Sequence, residues 1–291
     1  MGKTIASSEL VLNASGSVYH LDLKEENIAD KVILVGDPGR VSKISSKFSR
    51  IEFKTQNREF ITHTGYFNNE RITVLATGIG TDNIDICLNE LDAAVNIDLT
   101  KKEIKSTKRK LQLIRIGTSG ALQENIPVDS FLVSEYGVGF DNLLHFYENG
   151  NSINEHKIVN ELNNQLNWPS QLNEPYVVKG DDNLVNKIAE NCLVGMTATA
   201  SGFYGPQGRE LRLPLKINDL NERLTRFEFE EKKITNFEME TSALYALSKM
   251  LGHEACTVCL IVANRIRKEF SSNYAKKMDA LIENVLQKLS S

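Results

Sequence analysis

Several features are scarce in this sequence, and each scarcity excludes a class of protein. The 291 residues include six prolines, four cysteines and one tryptophan, too few for a collagen-like repeat, a proline-rich linker or a disulfide-rich scaffold. No apolar run approaches the roughly 18 residues of a membrane-spanning helix, and the first 17 residues lack the apolar core of a signal peptide. We therefore expect a globular, cytoplasmic protein with no membrane partner.

An excess of charge is also absent. The 34 Lys and Arg against 38 Asp and Glu give a formal net charge of −4, which opposes binding to a phosphate backbone. The one basic stretch lies at about 98–110, with six basic residues and one acidic residue in 99–110. A nucleic-acid patch there would lack interleaved aromatic residues for stacking, so we interpret it as a solvated surface insertion and expect no nucleic-acid partner.

The cysteines do not form a metal-binding pattern. Cys256 and Cys259 make a single C-x-x-C inside the run 255–263, which reads as a strand. Their odd separation would point the two thiols to opposite faces of that strand. Buried apolar packing is therefore favoured over a metal or redox role.

Short apolar runs alternate with helical patterns along the chain. β-branched runs without polar alternation suit strands buried on both faces, and they occur at 32–35, 72–76, 113–116, 130–133, 194–200 and 255–263. Helical spacing follows Asp82, a predicted N-cap, then runs from about 240 to Gly252 and over 274–289. The order predicts an α/β fold: a single three-layer α-β-α domain over 18–291, with a mixed, largely parallel central sheet and an N-terminal extension at 1–17.

Two glycine-rich segments follow predicted strands. Residues 36–40 (GDPGR) place Gly36 and Arg40 where free amides and a guanidinium could meet an anion, although a plain turn is as good a reading. Residues 77–83 (TGIGTDN) resemble the start of a dinucleotide fingerprint. Asn83 stands in place of the third glycine and no acidic residue follows at the expected distance, so we reject that interpretation.

Arg115 lies within a predicted strand that is otherwise apolar on both faces. A buried guanidinium needs an anionic partner, which could be a structural carboxylate or a bound oxyanion. Thr118 and the glycines around it are predicted to form a loop at the end of that strand, where ligands bind in open α/β sheets.

Two further segments carry polar groups suited to a small organic ligand. In 201–209, Phe203 offers a flat face, while Gln207 and Arg209 would point the same way from an extended segment towards the edge of a heterocycle. At a predicted helix start, Glu238 and Glu240 flank Met239 and could accept hydrogen bonds from vicinal hydroxyls. Solvated loop tips and macrodipole compensation are the alternative explanations.

The ordered motifs GDPGR, TGIGTDN, RIGTSGAL, FYGPQGR and FEMETSALY make the chain resemble the uridine phosphorylases of the nucleoside phosphorylase family, over about residues 18–265. The resemblance implies phosphate-dependent cleavage of uridine, or a related pyrimidine nucleoside, to uracil and ribose 1-phosphate in pyrimidine salvage. It also implies a homo-oligomer, namely an obligate dimer, and dimers of this family commonly assemble into hexamers. The resemblance implies that inorganic phosphate is a co-substrate and that no metal or organic cofactor is needed. It leaves open a site for a monovalent cation near Glu59.

The resemblance assigns a role to each candidate residue. Catalytic roles fall to Arg209, Gln207, Glu240 and Arg115. Phosphate would be held by Gly36, Arg40, Arg115, Thr118 and, from a neighbouring subunit, Arg58. Ribose would be held by Glu238, Met239, Glu240 and the neighbour's His20, and the base by Phe203, Gln207, Arg209 and Arg265.

The sequence also departs from the family pattern. Gly208 replaces the glutamate usual between Gln207 and Arg209, which removes a carboxylate from the base end. Asn264 and Arg265 stand where the purine enzymes use an aspartate, which argues against a purine leaving group. A nucleosidase of the same fold, a purine or broad-specificity phosphorylase and a non-catalytic nucleoside-binding protein are the alternatives.

Overall fold

The computed structural model describes residues 4–148 and 150–291. In these residues the strands are β1 (Lys31–Val35), β2 (Arg50–Asn57), β3 (Phe60–Phe67), β4 (Glu70–Ala76), β5 (Ile97–Asp98), β6 (Glu103–Ile104), β7 (Gln112–Ala121), β8 (Phe131–Gly139), β9 (Tyr176–Lys179), β10 (Leu193–Thr199), β11 (Glu228–Phe229), β12 (Lys232–Glu238), β13 (Glu254–Asn264) and β14 (Glu269–Phe270). The helices are α1 (Gly39–Ser45), α2 (Thr81–Asn96), α3 (Gly150–Ile153), α4 (His156–Leu166), α5 (Asp182–Ala189), α6 (Leu220–Arg226), α7 (Thr241–Leu251) and α8 (Tyr274–Leu289). Short 3-10 helices span Glu25–Asn27, Leu143–Phe146 and Gly205–Gln207.

The strands form a large mixed sheet in the order β11-β12-β10-β8-β13-β7-β1-β4-β3-β2. Pairings of β1 with β4 and β7, of β7 with β13, and of β10 with β8 and β12 are parallel, while β2, β3 and β4 are joined antiparallel. A second, antiparallel contact of β12 with β7 pairs Phe237 with Gly120 and closes part of the sheet into a ring. The predicted mixed sheet with a parallel core is confirmed, and the ring brings the end of β12 beside β7.

Helices cover both faces of this sheet. Successive residues of β1 alternate between two core clusters, with Leu34 packing among residues of α2 and α7 and Ile33 packing among residues of α1, α5 and α8. Because both faces of β1 are buried, its sequence is apolar throughout rather than alternating. The three-layer α-β-α arrangement predicted from the sequence is confirmed.

Two predicted boundaries are wrong. Gly80, not Asp82, is the N-cap of α2, because the chain turns there with φ +97, which an L side chain disfavours; Asp82 lies in the first turn. Thr118 lies inside β7 rather than in a loop, since pairing with β13 continues as far as Ala121. The end of α7 at Gly252, with φ +81, is as predicted.

The basic stretch near 98–110 lies at the surface, with none of its residues buried, and contacts neighbouring segments. It begins with the β5–β6 hairpin, and Lys102 Nζ donates to Ser7 Oγ at 3.0 Å and to the Leu10 carbonyl at 3.1 Å. Arg109 Nε donates to Asp30 Oδ1 at 2.6 Å. Several of the basic side chains are therefore used to hold neighbouring segments. In the described part of the chain, no helix is long and apolar enough to cross a membrane.

Candidate active site

A cavity of about 470 Å³ lies where β1 and β12 end, beside the carboxyl half of β7. Side chains and backbone from segments far apart in sequence line it, as expected at the carboxyl edge of parallel strands. Among the candidates it gathers Gly36, Arg40, Arg115, Thr118, Phe203, Gln207, Arg209, Glu238, Met239 and Glu240. Arg58, His20 and Arg265 are not part of its lining.

Arg40 is a buried cation that faces this cavity without a carboxylate partner in the described residues. It is 5% exposed, and its guanidinium donates to the Ile116 carbonyl at 2.9 Å and to the Tyr274 hydroxyl at 2.9 Å. Both acceptors are neutral, so the charge itself is uncompensated. A desolvated guanidinium in that state favours the binding of an anion.

The preceding turn is shaped for a close approach of backbone to ligand. Gly36 lines the same cavity, and a Cβ at this position would lie 3.3 Å from the Gly78 carbonyl oxygen. The two glycine-rich segments thus come together, with β1 and β4 paired in parallel up to this point.

Arg115 does have carboxylate partners. Its Nη2 contacts Glu240 Oε2, and its Nη1 lies 3.2 Å from Glu238 Oε2. Burial by itself lowers the pKa of Arg115, but the two carboxylates outweigh it and hold that pKa above the usual value. The buried anion that the sequence required is therefore protein-borne, although one guanidinium nitrogen, Nε, is buried with no hydrogen-bond partner.

The two glutamates are held differently at the start of α7. Glu238 accepts from the backbone amides of Glu240 at 3.0 Å and Thr241 at 3.1 Å, and from Thr199 Oγ1 at 2.7 Å. Glu240 accepts from the Gly80 amide at 2.7 Å. Burial raises the pKa of Glu240 and the neighbouring Glu238 adds to this, against the attraction of Arg115. Glu240 is thus the carboxylate with fewer fixed partners and more freedom to bind a hydroxyl pair.

The side chains of Phe203, Gln207 and Arg209, which also line the cavity, suit a flat polar ring. The guanidinium of Arg209 lies 3.8 Å from the centre of the Phe203 ring, and its Nη1 donates to Gln207 Oε1 at 2.7 Å. The expectation of an extended segment is wrong, because Gln207 ends a 3-10 turn and Gly208 adopts φ +66. That turn, rather than strand geometry, brings the carboxamide and the guanidinium together.

Arg265 lies behind this turn. Its Nη1 donates to the Gln207 carbonyl at 2.7 Å and to Asn221 Oδ1 at 2.9 Å. Burial, together with the charge of Arg209, lowers the pKa of Arg265 to about 10, and burial also lowers the pKa of Arg209. The guanidiniums of Arg209 and Arg265 therefore lie close together, with no carboxylate of the described residues between them, so this end of the site favours a developing negative charge.

His20 and Arg58 form a separate group. His20 Nδ1 lies 2.6 Å from Glu90 Oε1, whose carboxylate also accepts from the His20 amide. Arg58 adopts φ +54, and its guanidinium lies 5.3 Å from the centre of the Tyr19 ring. Within one chain the structure does not bring these two residues to the cavity.

Metal-binding side chains are not clustered in the part of the chain that the structure describes. Asn83 Nδ2 donates to the Ile79 carbonyl at 3.2 Å, close to Glu59 and Gly78. Cys256 is buried in the core beside α8, while Cys259 Sγ lies 3.6 Å from Arg115 Nη1. The prediction that these two thiols are buried and face opposite ways is confirmed.

Sequence reasoning did not identify Thr199, Tyr274 or Asn221, which contact site residues. Their partners lie 39, 234 and 44 residues away along the chain, in Glu238, Arg40 and Arg265 respectively. No local pattern could have indicated such contacts, because they depend on how the strands are ordered in the sheet.

The family model of the phosphorylase superfamily matches residues 30–289, nearly the whole chain. The chain belongs to the phosphorylase superfamily. A uridine phosphorylase of Thermococcus kodakarensis is 29% identical over 273 residues, covering 93% of this chain and 86% of that protein. A DeoD-type purine nucleoside phosphorylase of Buchnera aphidicola is 22% identical over 277 residues, covering 93% of this chain and all of the relative.

A solved structure of this superfamily is also similar throughout. A Trypanosoma brucei nucleoside phosphorylase, described as showing uridine phosphorylase activity, superposes with a TM-score of 0.85 at 29% identity. The match covers 96% of this chain and 99% of that one. The nucleoside phosphorylase fold expected from the motifs is therefore confirmed.

Proposed function

We propose that this enzyme cleaves uridine, or a closely related pyrimidine nucleoside, with phosphate to give the free base and ribose 1-phosphate. The observation that carries the proposal is the buried guanidinium of Arg40, which faces the cavity with only neutral acceptors. A small dianion bound there would compensate the charge and gain charge-assisted hydrogen bonds. The uridine phosphorylase activity of the Trypanosoma relative supports the choice of reaction.

In the proposed reaction a phosphate oxygen attacks C1′ of the nucleoside while the C1′–N1 bond breaks. The electrons of that bond pass to the pyrimidine ring, and the sugar acquires oxocarbenium character. No nucleophilic side chain is required, because phosphate is itself the nucleophile. The chain's contribution is to hold both reactants in one cavity and to stabilise the charges that develop.

Each group in the cavity then has a role. Gly36, Arg40, Arg115 and Thr118, which all line the cavity, would position phosphate. Glu240 would accept hydrogen bonds from the ribose hydroxyls, with Glu238 and Met239 beside it. Of these residues, Arg115 and Glu240 would be catalytic, and the others would bind phosphate or ribose.

The base end would stabilise the departing uracil. Phe203 would pack against the ring, while Gln207 and Arg209 would contact its polar edge. Arg265 adds positive charge from behind, and the absence of a carboxylate at Gly208 leaves that charge available to the leaving group. Loss of one such donor from an electrostatic site costs roughly a hundredfold in rate.

We further propose that the site is completed by a second copy of the chain. Arg58 and His20 lie outside their own chain's cavity, as donation to a neighbour's phosphate and ribose subsites requires. We propose a dimer-based assembly, such as a hexamer, in the cytoplasm, and a reaction that needs no metal or organic cofactor.

A single assay tests the proposal. Uridine, thymidine and inosine are each incubated with the protein, with and without phosphate, and the free base is measured. We expect uracil release that depends on phosphate. Release without phosphate would identify a hydrolase, preference for inosine would identify a purine enzyme, and binding without release would identify a nucleoside-binding protein.

A further inference from the structure

The turn that carries Gln207 and Gly208 is held from behind by the side chain of Asn221, near the start of α6. Asn221 Nδ2 lies 3.3 Å from the Gln207 carbonyl oxygen and 3.3 Å from the Gly208 carbonyl oxygen. Both carbonyls accept from one amide group, so the end of the 3-10 turn is fixed relative to α6. Asn221 itself is not part of the cavity lining.

The other end of the same carboxamide fixes Arg265. Asn221 Oδ1 accepts from Arg265 Nη1 at 2.9 Å, and that same nitrogen donates to the Gln207 carbonyl at 2.7 Å. An amide suits this arrangement, because its nitrogen carries two N–H donors for the carbonyls and its separate oxygen accepts from the guanidinium. Asn221, Arg265 and the backbone of Gln207 therefore form one closed network.

Gly208 provides the space for this network. Its φ of +66 is in the left-handed region, and a Cβ at this position would lie 2.7 Å from Asn221 Nδ2. A side chain at residue 208 would therefore displace the Asn221 amide. The position of the Asn221 side chain on α6 therefore requires glycine at residue 208, where the sequence departs from the family pattern.

This network positions the polar side chains that would face the nucleoside base. Gln207 is only 1% exposed, and its Oε1 accepts from Arg209 Nη1 at 2.7 Å and lies 3.5 Å from Arg265 Nη2. With the backbone of Gln207 held by Asn221 and its side-chain oxygen held by arginines, the carboxamide nitrogen keeps a defined direction. A small shift of the turn would misalign these donors with a bound ring.

We propose that Asn221 is a positioning residue for base recognition, which acts through the Gln207–Gly208 turn and Arg265. This inference rests on the proposed function, since it assigns the aligned groups to the pyrimidine ring. It predicts that loss of the Asn221 amide lowers kcat/KM for the nucleoside and weakens binding of the base, while the KM for phosphate stays nearly the same.

The test compares Asn221→Ala with Asn218→Ala, an exposed asparagine just before α6. We expect Asn221→Ala to lower kcat/KM for uridine about tenfold and to weaken uracil binding, measured by calorimetry, by a similar factor. The KM for phosphate should change less than twofold, and Asn218→Ala should match the wild type. A purely structural role would instead impair the use of uridine and of phosphate alike and lower the melting temperature.

A second variant makes the inference independent of how well Asn221→Ala folds. Gly208→Ala should give the same selective loss, because its Cβ pushes on Asn221 Nδ2. In the double variant, Gly208→Ala should cost clearly less than it does alone, since the clashing amide is gone. Strictly additive losses, or equal uracil affinity in Asn221→Ala and the wild type, would overturn the inference.

The two proposals fail in different ways. A wild-type protein that releases no uracil contradicts the proposed function, whatever the variants do. The comparison of uracil affinities then still decides the role of Asn221, because it needs no turnover. A wild-type protein that does not bind uracil at all overturns both.

Discussion

Replacement of Arg115 by alanine should destabilise the protein much more than replacement of Arg40, although both guanidiniums face the same cavity. Arg115 pairs with two buried carboxylates, whereas Arg40 donates only to a carbonyl and a hydroxyl. Removal of one partner from a buried ion pair costs about 3–5 kcal/mol when the remaining charge is left uncompensated. The cost therefore depends on which hydrogen-bond donors Glu238 and Glu240 keep once Arg115 is removed.

Glu238 keeps two backbone amides and a hydroxyl after Arg115→Ala, whereas Glu240 keeps the Gly80 amide. Most of the loss should thus come from Glu240. At about 2 °C per kcal/mol for a chain of this length, the melting temperature should fall by roughly 6–10 °C at pH 8. A second substitution, Glu240→Gln, should restore at least half of this loss by removing the stranded charge.

The deficit should also depend on pH. Burial already raises the pKa of Glu240, and without the guanidinium that pKa should rise further. A carboxyl with a raised folded-state pKa favours folding below its unfolded-state pKa, and this contribution is lost as the pH rises through the folded-state value. The difference in melting temperature between Arg115→Ala and the wild type should therefore shrink from pH 8 towards pH 5.

Thermal melts of the wild type, Arg115→Ala, Arg40→Ala and Arg115→Ala/Glu240→Gln, at equal protein concentration and several pH values, test this reasoning. Arg40→Ala should show a smaller deficit that does not change with pH. A deficit below 3 °C for Arg115→Ala at pH 8, or one that stays constant down to pH 5, would refute the idea that Arg115 neutralises these carboxylates.

Three further outcomes follow from the site. Arg209→Ala should lower kcat/KM for uridine by roughly a hundredfold, and a change below threefold would remove it from the base end. Thr199→Val removes the hydroxyl that donates to Glu238 at 2.7 Å and accepts from the Ser242 amide at 3.0 Å; it should cost about 1–3 kcal/mol in a denaturant melt, and an unchanged midpoint would contradict that. Burial raises the pKa of all four cysteines, and only Cys192 is partly exposed. A thiol reagent at pH 8 should therefore modify one thiol in the native protein, and rapid modification of two or more would contradict the burial of Cys87 in α2 and of Cys256 and Cys259 in β13.

The predictions from sequence succeeded where local chemistry decides the outcome. The apolar run at 32–35 predicts a strand buried on both faces, and it forms most of β1. The helix over 274–289 has the bounds that its periodicity indicates. They failed where pairing with a neighbouring strand decides the local structure. Thr118 is predicted to lie in a loop, but the pairing of β7 with β13 keeps it in a strand.

The candidate site shows the same division. The sequence by itself determined that Arg115 needs a buried anion, since an unpaired guanidinium inside an apolar strand is too costly. Only the tertiary structure decided which anion, because Glu238 and Glu240 reach Arg115 through the second pairing of β12 with β7. Likewise the sequence supplied Gln207, Gly208 and Arg209, but the fold placed Asn221 and Arg265 behind them. Side-chain chemistry is a local property, whereas the choice of partner depends on the order of strands, which no local pattern encodes.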